Sequence, residues 1–481
     1  MSLIEDLVAS LGSGAPAEEA LARAGESQPR RALEAFADAR ARPELAARFA
    51  AWAPEALRSA RPAFAAEQLA ALAERHRELA GEPLDVARFP ALPRVLGNSG
   101  FLARLLLARP ALLHDLASEP AACPPPPDTA PIAPDWEAIR EAKYRGLLRV
   151  AARDIGGRPF RESLGELSAL ADACLAAALA CAAAETGVEA PALLALGKLG
   201  GRELNFSSDV DVLFVYEAPA TLEADFERNR AVARLVRALR AGLEARGALG
   251  FGYRVDLELR PEGETGPLAN SVDAALSYYE SFGAEWERQA LIRLRPVAGP
   301  ADSAEALLRG LAPFVWRRSI SPASLRAVRE MKERIERERR DAGRDIEYDL
   351  KEGPGGIRDV EFLAQALQLF TGGRDPSVRS GNVLEALEAL ANVGALSRET
   401  AAALASAYLW LRRAEHAAQL DEERQTHALP RDAGAQRALA RRMGYGEDEA
   451  EAARSRLLDD WTAVRSEVRS HFDELLPAET R

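Results

Sequence analysis

Between Ala192 and Leu259 the hydrophobic pattern of this chain stops being helical. Ala192 to Leu196 is a short apolar run, Val210 to Tyr216 is rich in valine and aromatic residues, and Tyr253 to Leu259 alternates apolar with polar. Runs of this length and period predict three strands, because side chains on an extended backbone leave alternate faces. Between the second and third, Glu223 to Arg246 carries Val232, Leu235, Val236 and Leu239 on one helical face. On both sides of this region apolar residues recur at three and four. A few strands set among many helices predict an α+β fold, predominantly helical, with a mixed sheet under helical cover.

Punctuation divides the chain. Pro120 to Pro134 holds the run Pro124 to Pro127 with Pro131 and Pro134, which cannot continue a helix and favours extended polyproline geometry. The expected organisation is an N-terminal helical domain with this linker over 1–133, a sheet-containing domain over 134–318 and a C-terminal helical bundle over 319–481. In the first, Leu69, Leu72 and Leu79 share a helix ending near Gly81; in the second, Asp135 caps a helix through Trp136, Ile139 and Leu147, and another spans Glu162 to Glu185. Breaks at Ser321 to Pro322, Gly353 to Gly356, Gly372 to Gly373 and Pro430 divide the bundle. The acid and base alternation of Arg326 to Arg344 reads as a solvated, ion-paired helix face.

With 62 basic against 74 acidic side chains the net charge is −12, which argues against a protein built to hold phosphate backbones. Cys123, Cys174 and Cys181 have no metal-ligand spacing and read as small apolar residues of a reducing cytoplasm. The five histidines are scattered, so a histidine-based zinc site is not expected. Glu5 and Asp6 stand where a secretory signal needs a basic start, and the apolar stretch Ala173 to Ala184 is too short for a bilayer. A cytoplasmic protein without a membrane segment follows. Only Lys143, Lys198, Lys332 and Lys351 are lysines, so each marks a place where a compact ammonium stands in an arginine-rich chain.

The chemistry concentrates around the strands. Asp209 and Asp211, two apart on a strand, project from one face while Val210 and Val212 point into the core. Two converging carboxylates repel unless a cation lies between them, and a hard cation such as Mg²⁺ takes oxygen ligands and bridges to phosphates. Asp256 offers a third carboxylate on a strand whose Arg254, Asp256, Glu258 and Arg260 share one face. Gly197, Gly200 and Gly201 surround Lys198 in a turn after the first strand, where backbone N–H groups can approach phosphate oxygens. Asp359, Glu361 and Gln365 follow Gly355-Gly356 at helical spacing, and capping accounts for the acids.

The run Gly197-Lys198-Leu199-Gly200-Gly201-Arg202-Glu203-Leu204-Asn205-Phe206-Ser207-Ser208-Asp209-Val210-Asp211 resembles the signature of the glutamine synthetase adenylyltransferase/adenylyl-removing family. Arg254 to Gly266, Trp286-Glu287-Arg288, Gly355 to Phe362 and Leu96 to Ser99 are similar to further family segments, so the resemblance runs from about residue 50 to about 475. Family members are usually twice this long, with one half that removes AMP and one that adds it. Arg254 before Val-Asp, Arg358 in Gly-Gly-Ile-Arg, and Gln425-Thr426-His427 before Leu429-Pro430 resemble the removing half. Glu258 departs from the family's usual arginine and Glu262 from its usual aromatic.

The resemblance implies a polymerase-β-like nucleotidyltransferase sheet and phosphorolysis of an adenylyl-tyrosine on glutamine synthetase by inorganic phosphate, releasing ADP. It implies two Mg²⁺ ions on Asp209, Asp211 and Asp256, and nucleotide or phosphate contacts from Gly197, Lys198, Gly200, Gly201, Ser207, Ser208, Arg254 and Arg260. The PII signal protein is the implied regulatory partner; nucleic acid and membrane are not. Two other readings stay open: adenylylation of the tyrosine from ATP, and a catalytically silent module that binds glutamine synthetase or PII.

Overall fold

The computed structural model describes residues 5, 8–11, 17–23, 26, 28–116, 132–318, 322–445 and 449–476. Most of the proline-rich linker, Cys123 and the break at Ser321 lie outside the described residues. The fold is α+β and predominantly helical, with one five-stranded mixed sheet. Its N-terminal layer contains α1 (Pro29–Arg40) and α2 (Pro62–Ala80). Proline opens both helices, where its missing N–H costs nothing, and Gly81 ends α2 in the left-handed conformation at φ 75°. Leu69 and Leu72 are buried on α2 as expected, whereas Leu79 is turned to solvent.

α3 (Trp136–Ile155) begins at Asp135, whose carboxylate accepts from Ala138 N at 2.9 Å. α4 (Phe160–Thr186) is the central core helix. It is long and apolar enough to cross a membrane by length and composition, more so than the alanine stretch inside it had indicated. Here most of it packs inside the fold, with Leu167, Ala171, Cys174, Leu175 and Ala178 buried against the sheet layer. Burial pushes the Cys174 thiol up to about 12, which fits a side chain used as a small apolar group.

Strands β1 (Ala192–Ala195) and β2 (Val210–Tyr216) pair antiparallel, Ala192 opposite Val215 and Ala195 opposite Val212. α5 (Leu222–Glu244), capped by Thr221, returns the chain to β3 (Val255–Asp256), which runs parallel to the start of β2. β4 (Asn270–Ser271) pairs with the end of β2. Then α6 (Glu285–Leu291) leads to β5 (Arg295–Ala298), antiparallel to β1, and to α7 (Ala301–Val315).

Two expectations are corrected here. The alternating stretch 253–259 forms a strand only at Val255–Asp256, because the chain turns at 258–262, where Glu262 takes φ 63°. Arg260 therefore does not share a strand face with Arg254 and Asp256. Strands β4 and β5 carried too little alternation to be read; β4 is two residues long and β5 contains Pro296.

Both faces of the sheet are covered. Val210, Val212 and Phe214 belong to the core made with α3, α4, α5 and the N-terminal helices, while Leu213 and Val215 belong to a second core with α7. Asp209 and Asp211 keep the parity of Leu213 and Val215, so they emerge at the strand end on the side where the bundle packs.

The bundle includes α8 (Pro322–Asp341), α9 (Ile357–Gly372), α10 (Arg398–Leu420), α11 (Ala433–Arg442) and α12 (Ala450–Leu475) around its own core, to which the helix Val383–Asn392 also contributes. α8 is not only a solvated face: Lys332 is fully buried, 2.7 Å from both Glu336 and Asp359. That contact, with Gly355 N donating to Asp359 at 2.8 Å, shows that Asp359 does more than cap α9.

Candidate active site

A turn held at very close range starts the site. Gly197 stands at φ 53°, and a Cβ placed on it would lie 2.1 Å from Asp211 Oδ2. Only glycine permits both the left-handed backbone and the approach of the carboxylate. The turn continues as a single helical turn, Gly197–Gly200, in which Gly200 N donates to Leu196 O at 2.7 Å and Gly201 N to Gly197 O at 3.2 Å. Gly200 also lies against the Arg293 carbonyl, and Gly201 against that of Gly381, so these two glycines serve close packing, with their N–H groups already engaged.

β2 and β3 bring the carboxylates together: Asp211 and Asp256 are partners in the parallel register, with Asp209 one residue before the strand. Burial, then Asp256 and Asp209, push Asp211 up to about 6. Asp209 is held on both oxygens, by Arg254 Nε and by Gln425 Nε2 at 2.8 Å. Asp256 accepts from Glu258 N at 2.7 Å.

These carboxylates floor a cleft of about 580 Å³ whose opposite wall is the bundle. Lys351, Arg358, Glu361, Gln365, Gln425 and His427 face it from there. Lys198 crosses the boundary to Glu415 Oε1 on α10 at 2.7 Å. Glu415 also takes His427 Nδ1 at 2.6 Å and Asn205 Nδ2, and lies 3.3 Å from Arg412. Burial lowers the Lys198 ammonium to about 8. Burial also pushes Glu415 upward, but Lys198, His427 and Arg412 outweigh it and hold this carboxylate well below its usual range.

The remaining expected residues separate by position. Ser207 is spent on the bundle, its N donating to Gln419 and its Oγ to the Glu423 carbonyl, both at 3.0 Å. Ser208 Oγ lines the cleft and is buried with no hydrogen-bond partner among the described residues. Arg260 is buried and donates to the carbonyls of Leu257, Glu264, Gly266 and Pro267, which fixes the 257–267 loop. Reading the sequence left Glu361 and Gln365 to capping, yet both line the cleft; Glu361 pairs with Arg293 at 3.0 Å. Lys351 was not assigned at all, and the rarity of lysine was its only signal. It lines the cleft with no ion-pair partner among the described residues.

Among the described residues no three His, Cys, Asp or Glu side chains are gathered as metal ligands. The donor chemistry nevertheless fits a hard cation: three carboxylates, two of them register partners, one of them raised by burial and then by the others.

Residues 89–310 match the family model described as glutamate-ammonia ligase adenylyltransferase. Similar curated proteins are named bifunctional glutamine synthetase adenylyltransferase/adenylyl-removing enzyme. The one from Stenotrophomonas maltophilia (strain R551-3) is 40% identical over 385 residues, covering 76% of this chain and 41% of its own length. The chain belongs to this adenylyltransferase family. It is a family of nucleotidyltransferase enzymes. The relative from Xanthomonas campestris pv. campestris (strain B100) is 38% identical over 439 residues, 87% of this chain and 46% of its own length. That from Thioalkalivibrio sulfidiphilus is 36% identical over 426 residues, 81% of this chain and 42% of its own. The chain thus spans less than half the length of the curated relatives it matches. Residues 327–476, the bundle, also match a model described as GlnD PII-uridylyltransferase.

Proposed function

We propose that this chain removes AMP from an adenylylated tyrosine of glutamine synthetase by phosphorolysis. An oxygen of inorganic phosphate attacks the α-phosphorus, the bond to the tyrosine oxygen breaks, and AMP leaves on the phosphate as ADP. The phenolate, whose free pKa is near 10, takes a proton from solvent. The observation that carries this reading is the in-register pair Asp211 and Asp256, with Asp209 beside it, on the floor of a cleft lined with cationic side chains.

Transfer of a phosphoryl-type group needs positioning and charge neutralisation more than covalent help. Asp209, Asp211 and Asp256 are suited to hold two Mg²⁺ ions, which would neutralise charge on the reacting oxygens. Around them Gly197, Lys198 and Ser208 contact the nucleotide phosphates, Ser208 through its unsatisfied hydroxyl. Arg254, already beside Asp209, holds the attacking phosphate. Lys351 and Arg358 meet the anion from the bundle wall, which excludes water. On this reading 134–318 carry the chemistry, 319–481 close the site, and the N-terminal helices over 1–133 support both.

The removing direction rests on Arg254, Arg358 and the Gln425-Thr426-His427 segment; Arg358, Gln425 and His427 line the cleft, and Arg254 and Gln425 both hold Asp209. The relatives' names carry both activities, which keeps adenylylation from ATP as the second reading. A cytoplasmic setting and control by PII accompany either one. The test is to incubate the protein with AMP-labelled glutamine synthetase, Mg²⁺ and phosphate, with Asp209→Ala as control. Labelled ADP that requires phosphate and Asp209 supports removal. Labelling of unmodified synthetase from ATP instead would replace it with the second reading, and silence in both assays with tight synthetase binding would leave a non-catalytic module.

A further inference from the structure

Away from the catalytic cleft lies a larger cavity of about 770 Å³, between the N-terminal helices and the bundle. Arg31, Arg61, Arg437, Arg441 and Arg442 line it, against the carboxylates Glu26, Glu67 and Asp421. Asp421 serves two of these cations at once, Arg61 at 2.6 Å and Arg442 at 2.8 Å. Arg31 takes Glu67, and Arg437 turns to Glu451 outside the cavity. Arg437 aside, four guanidinium groups face three carboxylates across the space. The rest of the lining includes Pro62, Phe64, Ala435, Ala438 and Leu439, so the space offers an apolar surface beside its guanidinium groups. Guanidinium forks match planar carboxylates, and the volume and apolar lining suit a carbon body better than a bare inorganic ion.

One wall is shared with the active site. In the segment 424–430, Thr426, Ala428 and Pro430 line this cavity while Gln425 and His427 line the catalytic cleft, as the alternation of an extended chain requires. The segment is bridged to 348–350, with Leu350 N on the His427 carbonyl at 2.7 Å and Leu429 N on that of Tyr348 at 2.8 Å. At its start Asp421 binds Arg61 and Arg442, Glu422 pairs with Arg104, and Glu423 lies 2.5 Å from Lys143. At its cleft side Gln425 holds Asp209, and His427 holds the Glu415 that pairs with Lys198. Anything that draws Arg61 or Arg442 away from Asp421 acts on the end of a segment that grips two groups of the catalytic floor.

The geometry points to a binding site for a small organic acid in this cavity, coupled through residues 421–427 to Asp209 and Lys198. The test uses the full chain and succinate as probe, with sulfate as the inorganic arm, followed by titration calorimetry and by hydrogen exchange of the 424–428 amides. Succinate binds saturably, and binding weakens about tenfold in Arg31→Ala and in Ala435→Trp, which obstructs the cavity without removing a charge. Exchange at 424–428 changes with occupancy in the wild type. Asp209→Ala still binds succinate, which separates this site from the catalytic cleft. No saturable binding, or binding untouched by both cavity variants, would overturn the site. Sulfate binding as tightly as succinate would overturn the organic-acid assignment, and binding without a change at 424–428 would overturn the coupling.

Discussion

Asp211 and Asp256 stand opposite each other on parallel strands, one carboxylate against another at the floor of the cleft. The pair opposes folding, since burial and Asp256 push Asp211 up to about 6. A rise from 3.8 to about 6 corresponds to an upper bound of about 3 kcal/mol between the protonation states. Asp211→Asn, which mimics the neutral form, is expected to stabilise the metal-free protein by about 1–3 kcal/mol at pH 7.5 while abolishing transfer. Urea unfolding in the presence of a chelator measures it. An equal or lower midpoint for the variant would show that the two carboxylates do not strain one another.

Glu361 behaves oppositely. Burial pushes its carboxyl upward, but Arg293, helped by Arg358, outweighs that and brings it down to about 2. A depressed carboxylate contributes stability that is present above its unfolded value of 4.5 and lost as pH falls toward 2. Glu361→Gln should cost about 3 kcal/mol at neutral pH, because Arg293 is left with Glu203 alone at 3.5 Å. The gap between variant and wild type should narrow between pH 4.5 and 2 in denaturant titrations. A gap independent of pH would mean that the ion pair contributes nothing.

The parts of the site legible in the sequence are those with a local signal. Asp209 and Asp211 announce themselves by strand parity, and Gly197 by its place between a strand and a lysine. Asp256 was legible from a strand that proved far shorter than its alternation, because Glu262 turns the chain at φ 63°. What the sequence hid is long-range. Glu415 lies 217 positions from Lys198, and on its own helix it is one more acid beside arginines. The acids Asp421, Glu422 and Glu423 carried no signal in the sequence, yet each reaches a cation on a different element. The lysine count was the better guide: Lys143 and Lys332 are buried, Lys198 pairs with Glu415, and Lys351 lines the cleft.

Gly197→Ala tests how closely the turn is tied to the carboxylate face of the cleft. The new methyl meets Asp211 Oδ2 at 2.1 Å and the backbone is held at φ 53°, so strain and displacement act together. The expected cost is about 1–3 kcal/mol of stability, with a loss of turnover far larger than that predicts, because Asp211 must move. Gly200→Ala, whose methyl would meet the Arg293 carbonyl at 2.1 Å, should lose stability first. Comparing the turnover of the two variants at matched folded fractions decides this; equal losses would place the role of Gly197 in folding alone.

Arg260 separates holding a loop from holding a substrate. Its guanidinium reaches Leu257 O at 2.7 Å, Glu264 O at 2.9 Å, and Gly266 O and Pro267 O at 3.1 Å, a spread of acceptors that only a planar fork covers. Lysine keeps the charge but brings three donors from one point. Arg260→Lys should therefore lower stability by about 1–3 kcal/mol and leave the KM for phosphate nearly unchanged once folded protein is counted. Arg254→Lys, beside Asp209 and half-exposed at the strand end, should do the reverse: stability close to wild type, with a raised KM for phosphate. Steady-state kinetics in phosphate alongside thermal unfolding distinguishes them. A KM that rises in Arg260→Lys and not in Arg254→Lys would transfer the phosphate contact to Arg260 and require the 257–267 loop to open when substrate binds.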